Sequence, residues 1–308
     1  MIYTVTLNPA LDKTVEIPGF QPNQVNRICA ARTDPGGKGI NVSKVVKSLG
    51  GESVAVGILA GNTGKCIEQA LRKQEISCSF LYVPGETRTN LKIVDKLAHT
   101  NTDINEAGPI VPPETEEALL SRLAQKLTGE DIVVLSGSVP GGISRDVYAR
   151  WTTACTRAGA RVFLDADGDL LRQGVQGKPF LVKPNRAELE VWAGRPLNTK
   201  KELEEAGKAL LSEGVSRVVI SLGGDGAVFL RPDETIWADG LSVPVGSTVG
   251  AGDSMMAALV YGYEKNLPEE EIFRLAIATS AANVMCSGTQ AAPREEIERL
   301  LPKVMLRK

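Results

Sequence analysis

The chain has 308 residues, 43% of them hydrophobic and 23% charged, with a net charge of −2. That size and balance suit a globular fold with one large core and a smaller appendage. A near-neutral chain excludes recruitment of nucleic acid or anionic membrane by overall charge, so an anionic ligand would need a local cluster of basic residues.

In chain order, the opening MIYTVTL (1–7) reads as a strand; with no run of 18 apolar residues, we expect neither a signal peptide nor a membrane span. The stretch 12–35, with KTVEIPGF and NRICAART, alternates apolar and polar residues, as does 86–105 with ETRTNLKIVDK. Both predict antiparallel strands of a small, half-exposed sheet that rises from the main body as a lid. DPGGKGINVSKVV (34–46) is a glycine-rich turn opening a helix. Strands and helices then alternate. SVAVGILAG (53–61) precedes a helix near 63–73, and DIVVLSGS (131–138) precedes a helix that follows Ser144 and stops at Gly159. RVFLDAD (161–167) leads to a short helix, and PFLVKPN (179–185) leads to RAELEVWAG. Thr199 and Glu202 form a capping-box pair for a helix that stops at Gly214, and SRVVISLGG (216–224) is the next strand. This rhythm predicts a mostly parallel sheet covered on both faces, in one α/β domain over 1–308. Finally, STVGAGDSMMAALVYGY (247–263) is a loop of small residues running into an apolar helix, with one carboxylate, Asp253, at its entrance.

The five cysteines (29, 66, 78, 155, 286) form no CxxC pair. They predict reduced thiols of a cytoplasmic protein rather than disulfides or a zinc site. The single histidine, His99, stands in the polar KLAHTNTD and reads as a loop tip, so a general base is expected to be a carboxylate.

In a parallel sheet, ligands lie beyond the carboxyl ends of the strands, where this chain gathers small residues, amides, acids and a lysine. Asp253 admits two readings there. It is a good helix N-cap. It is also well placed as a base, if the glycine loop presents backbone N–H groups to developing negative charge. The GGKGIN loop suits either polyol binding or a turn with a helix cap. Asn185 and Glu188 stand at i and i+3 beside Lys183, which suits either a hydrated Mg²⁺ near nucleotide phosphates or a cap with a solvated glutamate. SLGGDG (221–226) reads as a hairpin-like turn or as a floor for a nucleotide.

TLNPALD, GGKGIN, SGSVP, KPNRAE, SLGGDG and TVGAGDS, in that order, resemble the ribokinase-like (PfkB) family of sugar kinases. TLNPALD, GGKG and ETRTN resemble its branch acting on sugar phosphates, the 1-phosphofructokinases and tagatose-6-phosphate kinases. The resemblance implies a ribokinase-like three-layer sandwich with a mostly parallel central sheet and a small β-sheet lid. It implies Asp253 as catalytic base and Gly250, Ala251 and Gly252 as the anion hole. Asp12, Gly37, Asn41 and Ser138 would bind the sugar, with Lys38 and Arg88 on the phosphate it already carries. Lys183, Asn185 and Glu188 would serve ATP phosphates and Mg²⁺, the last two holding the metal through water. Ser221, Gly223 and Gly226 would line the nucleotide, with Asn283 near adenine. The expected activity is ATP-dependent phosphorylation of fructose 1-phosphate to fructose 1,6-bisphosphate by a homodimer joined through its lids, with no nucleic-acid or membrane partner. Competing expectations are tagatose 6-phosphate as acceptor and a non-catalytic sugar-phosphate sensor; an intact Asp253 argues against the sensor.

Overall fold

The computed structural model describes residues 1–286 and 288–308. It begins with β1 (Ile2–Thr6), β2 (Ala10–Glu16), β3 (Ala30–Gly36) and α1 (Lys38–Ser48). β4 (Ser53–Ala60), α2 (Gly61–Lys73), β5 (Ser77–Val83), β6 (Arg88–Asp95), β7 (Thr100–Asn105) and α3 (Pro113–Ala124) follow. Then come β8 (Ile132–Ser136), α4 (Val147–Arg157), β9 (Arg161–Asp165), α5 (Gly168–Val175), β10 (Leu181–Val182), α6 (Arg186–Ala193) and α7 (Lys200–Ser212). The last elements are β11 (Arg217–Ser221), β12 (Ala227–Arg231), β13 (Glu234–Ala238), α8 (Ala251–Glu264), α9 (Glu269–Val284), α10 (Arg294–Leu300) and β14 (Leu306–Arg307).

The main sheet runs β14-β13-β12-β11-β10-β9-β8-β1-β4-β5, parallel from β11 to β5 and antiparallel beyond. Helices cover both faces, as the continuous apolar strands require; every residue of β8 is buried. One core layer joins Leu119, Trp151, Leu170, Leu189 and Leu203 from α3 to α7. The other joins Val42, Val45, Met256, Phe273 and Ile297 from α1 and α8 to α10. α8 is apolar around most of its circumference because it lies between the sheet and α9.

The polar, alternating segments form a separate sheet in the order β3-β2-β6-β7. The β2–β3 and β6–β7 pairs are antiparallel as expected, but β2 and β6 run parallel. The reason is topological. β2 follows β1 and β6 follows β5, two parallel strands of the main sheet, so both segments leave from its carboxyl edge in one direction. The run 179–185 shrinks to the two-residue β10, with Pro184 unable to extend a ladder. SLGGDG is the turn of an antiparallel β11–β12 pair, closed by Leu222 N–H donating to Gly226 O at 2.9 Å. Glycine is required at 226: φ is 100°, and a Cβ would stand 2.0 Å from Ala238 O. All five cysteines are free thiols. Among the described residues, no helix is long and apolar enough to cross a membrane.

Candidate active site

A cavity of about 740 Å³ lies between the carboxyl edge of the main sheet and one face of the small sheet. The sequence-predicted residues 12, 37, 38, 41, 88, 138, 183, 185, 188, 221, 223, 226 and 250–253 all line it. Asn283 does not. It is 2% exposed within α9, behind Gly250, where a Cβ on that glycine would meet its Nδ2 at 3.4 Å. Asn283, expected near adenine, backs the glycine loop from inside the protein.

Asp253 is not a cap. The N-cap of α8 is Gly250, with φ 81°, and Asp253 is the third residue of the helix. Its carboxylate is buried and accepts a hydrogen bond from Asn41 Nδ2 at 2.8 Å. Burial, then the nearby Asp165 carboxylate, push its pKa up to about 6 against the opposing pull of Lys38, Asn41 and Lys183. The first-turn N–H groups of α8 have no acceptor within the helix and stand beside this acid. A Cβ at Gly252 would come 3.3 Å from Lys183 Nζ, so the loop passes close beneath a buried ammonium.

That ammonium belongs to a cluster that sequence reasoning did not assemble. Asp165, at the end of β9, receives Lys38 Nζ at 2.9 Å on one oxygen and Lys183 Nζ at 3.1 Å on the other. Burial works against the Asp165 carboxylate, yet Lys183 and Lys38 together outweigh it and hold its pKa down to about 2. Lys38 also stands 3.8 Å from Glu188 Oε1. Burial disfavours its charge, but Asp165, Glu188 and Asp253 push its pKa well above the usual lysine value. Lys38 thus lines the cavity while facing the acid cluster and Asp253. The only sequence sign of Asp165 was an acid ending a buried strand.

Asn185 and Glu188 are joined in a capping box, and both line the cavity. Asn185 caps α6: its Oδ1 accepts from Glu188 N–H at 2.9 Å, and Glu188 Oε2 accepts from Asn185 N–H at 2.8 Å. Burial raises the Glu188 pKa. The cap occupies Asn185 Oδ1, and the lysines occupy both oxygens of Asp165. Glu188, which lines the cavity, keeps Oε1 outside the cap, 3.8 Å from Lys38 Nζ. No cluster of three or more His, Cys, Asp or Glu side chains suited to a metal exists among the described residues. The donor set therefore fits a cation held through water and ligand oxygens, not a cage of protein ligands.

At the opposite wall, Asn90 Nδ2 donates to Asp12 Oδ1 at 2.9 Å. Burial raises the Asp12 pKa. Arg88 donates from its terminal nitrogens to Glu106 O at 3.3 Å and Asn8 O at 3.1 Å. Asn8 Nδ2 donates to Ala107 O at 3.2 Å and reaches Ser138 Oγ at 3.4 Å. Asn8 Oδ1, Asn41 Oδ1, Asn90 Oδ1 and Arg88 Nε are buried without a partner, and all four residues line the cavity. Buried polar atoms are rarely left unpaired. A ligand rich in hydroxyls would satisfy this set. Lys44, also missed, is 7% exposed and bridges Pro35 O at 3.0 Å and Thr289 Oγ1 at 3.4 Å. It ties the root of the small sheet to the chain behind the glycine loop.

A sequence model of the pfkB family carbohydrate kinases matches residues 5–296. The chain is 38% identical over 307 residues to a 1-phosphofructokinase of Bacillus subtilis, covering 99% of this chain and 98% of that one. It is 37% identical to a 1-phosphofructokinase of Rhodobacter capsulatus, covering 99% and 97%. Its fold superposes on phosphofructokinase-2 of Escherichia coli in complex with fructose-6-phosphate with a TM-score of 0.92, at 27% identity and 98% coverage of both chains. A ribokinase of Thermotoga maritima, 22% identical with a TM-score of 0.80, covering 98% of this chain and 99% of that one, shares the fold.

Proposed function

The chain belongs to the pfkB family of carbohydrate kinases, and we propose that it transfers the γ-phosphoryl group of ATP to fructose 1-phosphate, yielding fructose 1,6-bisphosphate. The observation that carries the reading is Asp253. It is a buried carboxylate with a raised pKa, held by Asn41 at the glycine-rich start of α8 and open to the cavity.

Transfer needs in-line placement and charge neutralisation more than covalent help. Asp253 takes the proton of the acceptor hydroxyl as that oxygen bonds to phosphorus. The bond from phosphorus to the ADP oxygen breaks, and ADP leaves with the electron pair. The backbone N–H groups of Gly250, the N-cap, and of Ala251 and Gly252 in the first turn receive the phosphoryl oxygens. Lys38 and Lys183, both paired with Asp165 at rest, lie beside that loop and supply positive charge as the phosphoryl group passes. Ser221, Gly223, Gly226 and Asn185 border the nucleotide end of the cavity. Glu188 Oε1 would hold a hydrated Mg²⁺, which when bound offsets the charge of the ATP phosphates. At the sugar end, Asp12, Gly37, Asn41, Asn90 and Ser138 meet hydroxyls, and Arg88 offers its unpaired Nε.

The small sheet is the lid, excluding water that would otherwise accept the phosphoryl group. It also exposes Val25 (86%), Ile28 (53%) and Leu97 (73%), which supports a homodimer joined through the lids. Sedimentation of the native chain and of Leu97→Asp tests that contact.

The decisive experiment is ADP release with MgATP across fructose 1-phosphate, fructose 6-phosphate, tagatose 6-phosphate and free fructose. Fructose 1-phosphate should show the highest kcat/KM. A clear preference for another acceptor overturns the substrate assignment.

A further inference from the structure

Resting on the reading of the cavity as the site of phosphoryl transfer to a sugar phosphate, we infer that Lys44 is a positioning residue for that transfer. It fixes the sugar-binding root of the small sheet and the loop that opens α8 in one arrangement, from outside the cavity. Lys44 is buried in α1 and does not line the cavity. Among the described residues it forms no ion pair; its Nζ donates instead to Pro35 O at 3.0 Å and to Thr289 Oγ1 at 3.4 Å. Burial lowers its pKa, while the Asp34, Asp12 and Asp253 carboxylates pull it back up and the Arg32 guanidinium works with burial. An ammonium is costly to bury, and an apolar side chain would fill the same place in a helix without that cost. What distinguishes the ammonium is the pair of segments it joins.

Each segment belongs to one half of the machinery. Pro35, near the end of β3, pairs with Leu11 of β2, so its carbonyl fixes the strand end beside Asp12. The fit there is tight: a Cβ on Gly36 would stand 2.0 Å from Asp12 Oδ2. Thr289, between α9 and α10, packs against the glycine loop, where a Cβ on Gly250 would meet its Cα at 3.9 Å. Lys44 also follows Asn41 by three residues on the same face of α1, and Asn41 holds Asp253 at 2.8 Å. One ammonium therefore joins the strand end beside Asp12 to the segment against Gly250, from the helix that orients the base. Transfer requires the sugar at Asp12 and the phosphoryl group at the loop to meet in line, and a misplacement of about 1 Å costs on the order of 10²-fold. Without Lys44 each half still binds its own substrate, but the two are no longer held in register.

The test uses Lys44→Met, which keeps an apolar stem but loses the donors and the charge, and Thr289→Val, which keeps the side-chain shape but loses the acceptor. With fructose 1-phosphate and MgATP, kcat of K44M should fall about 10- to 100-fold while KM for either substrate changes less than about threefold. Bisphosphate formed per ADP released should also fall below one, because water takes the phosphoryl group as inorganic phosphate when the sugar is out of line. T289V should lower kcat several-fold at a native denaturant midpoint, and should add little in the K44M background, since both changes break one contact. A residue that only fills the core would lower the denaturant midpoint of K44M yet leave kcat per folded molecule and the product ratio native; that result overturns the assignment. If K44M does not fold, T289V decides alone, and a native kcat there overturns the assignment. If the native protein prefers a different sugar phosphate, the fructose 1-phosphate reading fails by itself, and the same comparison on that acceptor still tests Lys44. A native protein that phosphorylates no sugar phosphate would overturn both.

Discussion

Asn41 and Asp253 lie 212 residues apart in sequence, yet their side chains meet at 2.8 Å. The contact joins α1, opened by the GGKGIN loop, to α8, opened by the glycine-rich loop. A sugar held by the first loop is thereby brought against the acid of the second. Replacing Asp253 with Asn keeps its shape but removes the base, so kcat should fall by roughly 10²–10⁴-fold with much less change in KM. Steady-state kinetics of Asp253→Asn check this, and near-native turnover would refute the proposed role.

The raised pKa of Asp253 predicts a pH profile. Activity should decline as pH falls through about 6, the value set by burial and then by Asp165. Asn41 donates to the charged form, so Asn41→Ala should move the acid limb of kcat to higher pH. For stability the sign is opposite to that of an ordinary paired carboxylate. The native state binds the Asp253 proton more tightly than the unfolded chain does, so this group's contribution is present at low pH and is lost as pH rises from the ordinary aspartate value of 3.8 to about 6. Denaturant midpoints of native protein and Asp253→Asn over that range would isolate the contribution.

Asp165 has the reverse linkage. Its pKa is held near 2 by Lys183 and Lys38 against burial, so its contribution is present above 3.8 and is lost as pH falls toward 2. Asp165→Asn leaves two ammonium groups, one of them 4% exposed, without their shared counter-charge. The variant should be destabilised by about 3 kcal/mol, read from denaturant midpoints at neutral pH.

The glycine loops, the strand rhythm and the lone acid at the start of an apolar helix were legible because they are local patterns. Alternation in 12–35 and 86–105 marked two faces of a sheet, but it carries no information on whether β2 and β6 run parallel. Asp165 was legible as an acid at the carboxyl edge of the sheet, but its ion pairs were hidden for a different reason. One acid at a strand end looks like turn chemistry until Lys38, 127 residues away, is seen to reach it. The reach of Lys38 to Asp165 was not legible, because proximity to Asn41 in sequence does not give the direction of a side chain. Asn185 and Glu188 were legible as an i, i+3 pair, and the capping box that joins them is one of the two readings that spacing left open.

Glu188 offers a clean separation of charge from capping. Glutamine also completes a capping box, so Glu188→Gln should leave α6 intact. It removes the charge at Oε1, so the Mg²⁺ concentration for half-maximal rate should rise several-fold. A Mg²⁺ titration at fixed ATP, with circular dichroism as the control for α6, decides it; an unchanged titration would leave Glu188 as a cap alone.

Arg88 separates anchoring by geometry from anchoring by charge. Its terminal nitrogens hold Asn8 O, beyond β1, and Glu106 O, beyond β7. The guanidinium thus pins the root of the small sheet to the edge of the main one. A lysine keeps the charge but lacks the planar fork that reaches both carbonyls. If the pin dominates, Arg88→Lys should lose nearly as much kcat/KM as Arg88→Ala. Each should fall by roughly 10-fold, corresponding to about 1–2 kcal/mol for two lost hydrogen bonds. The loss should extend to every acceptor, because a loosened root misplaces Asp12 and Asn90 for any sugar. If instead the charge on the sugar's phosphate dominates, Arg88→Lys should keep most of the native activity, while Arg88→Ala should fail selectively on phosphorylated acceptors. Kinetics of both variants on fructose 1-phosphate and free fructose distinguish the two. The Arg88 contacts with Asn8 and Glu106 favour the pin.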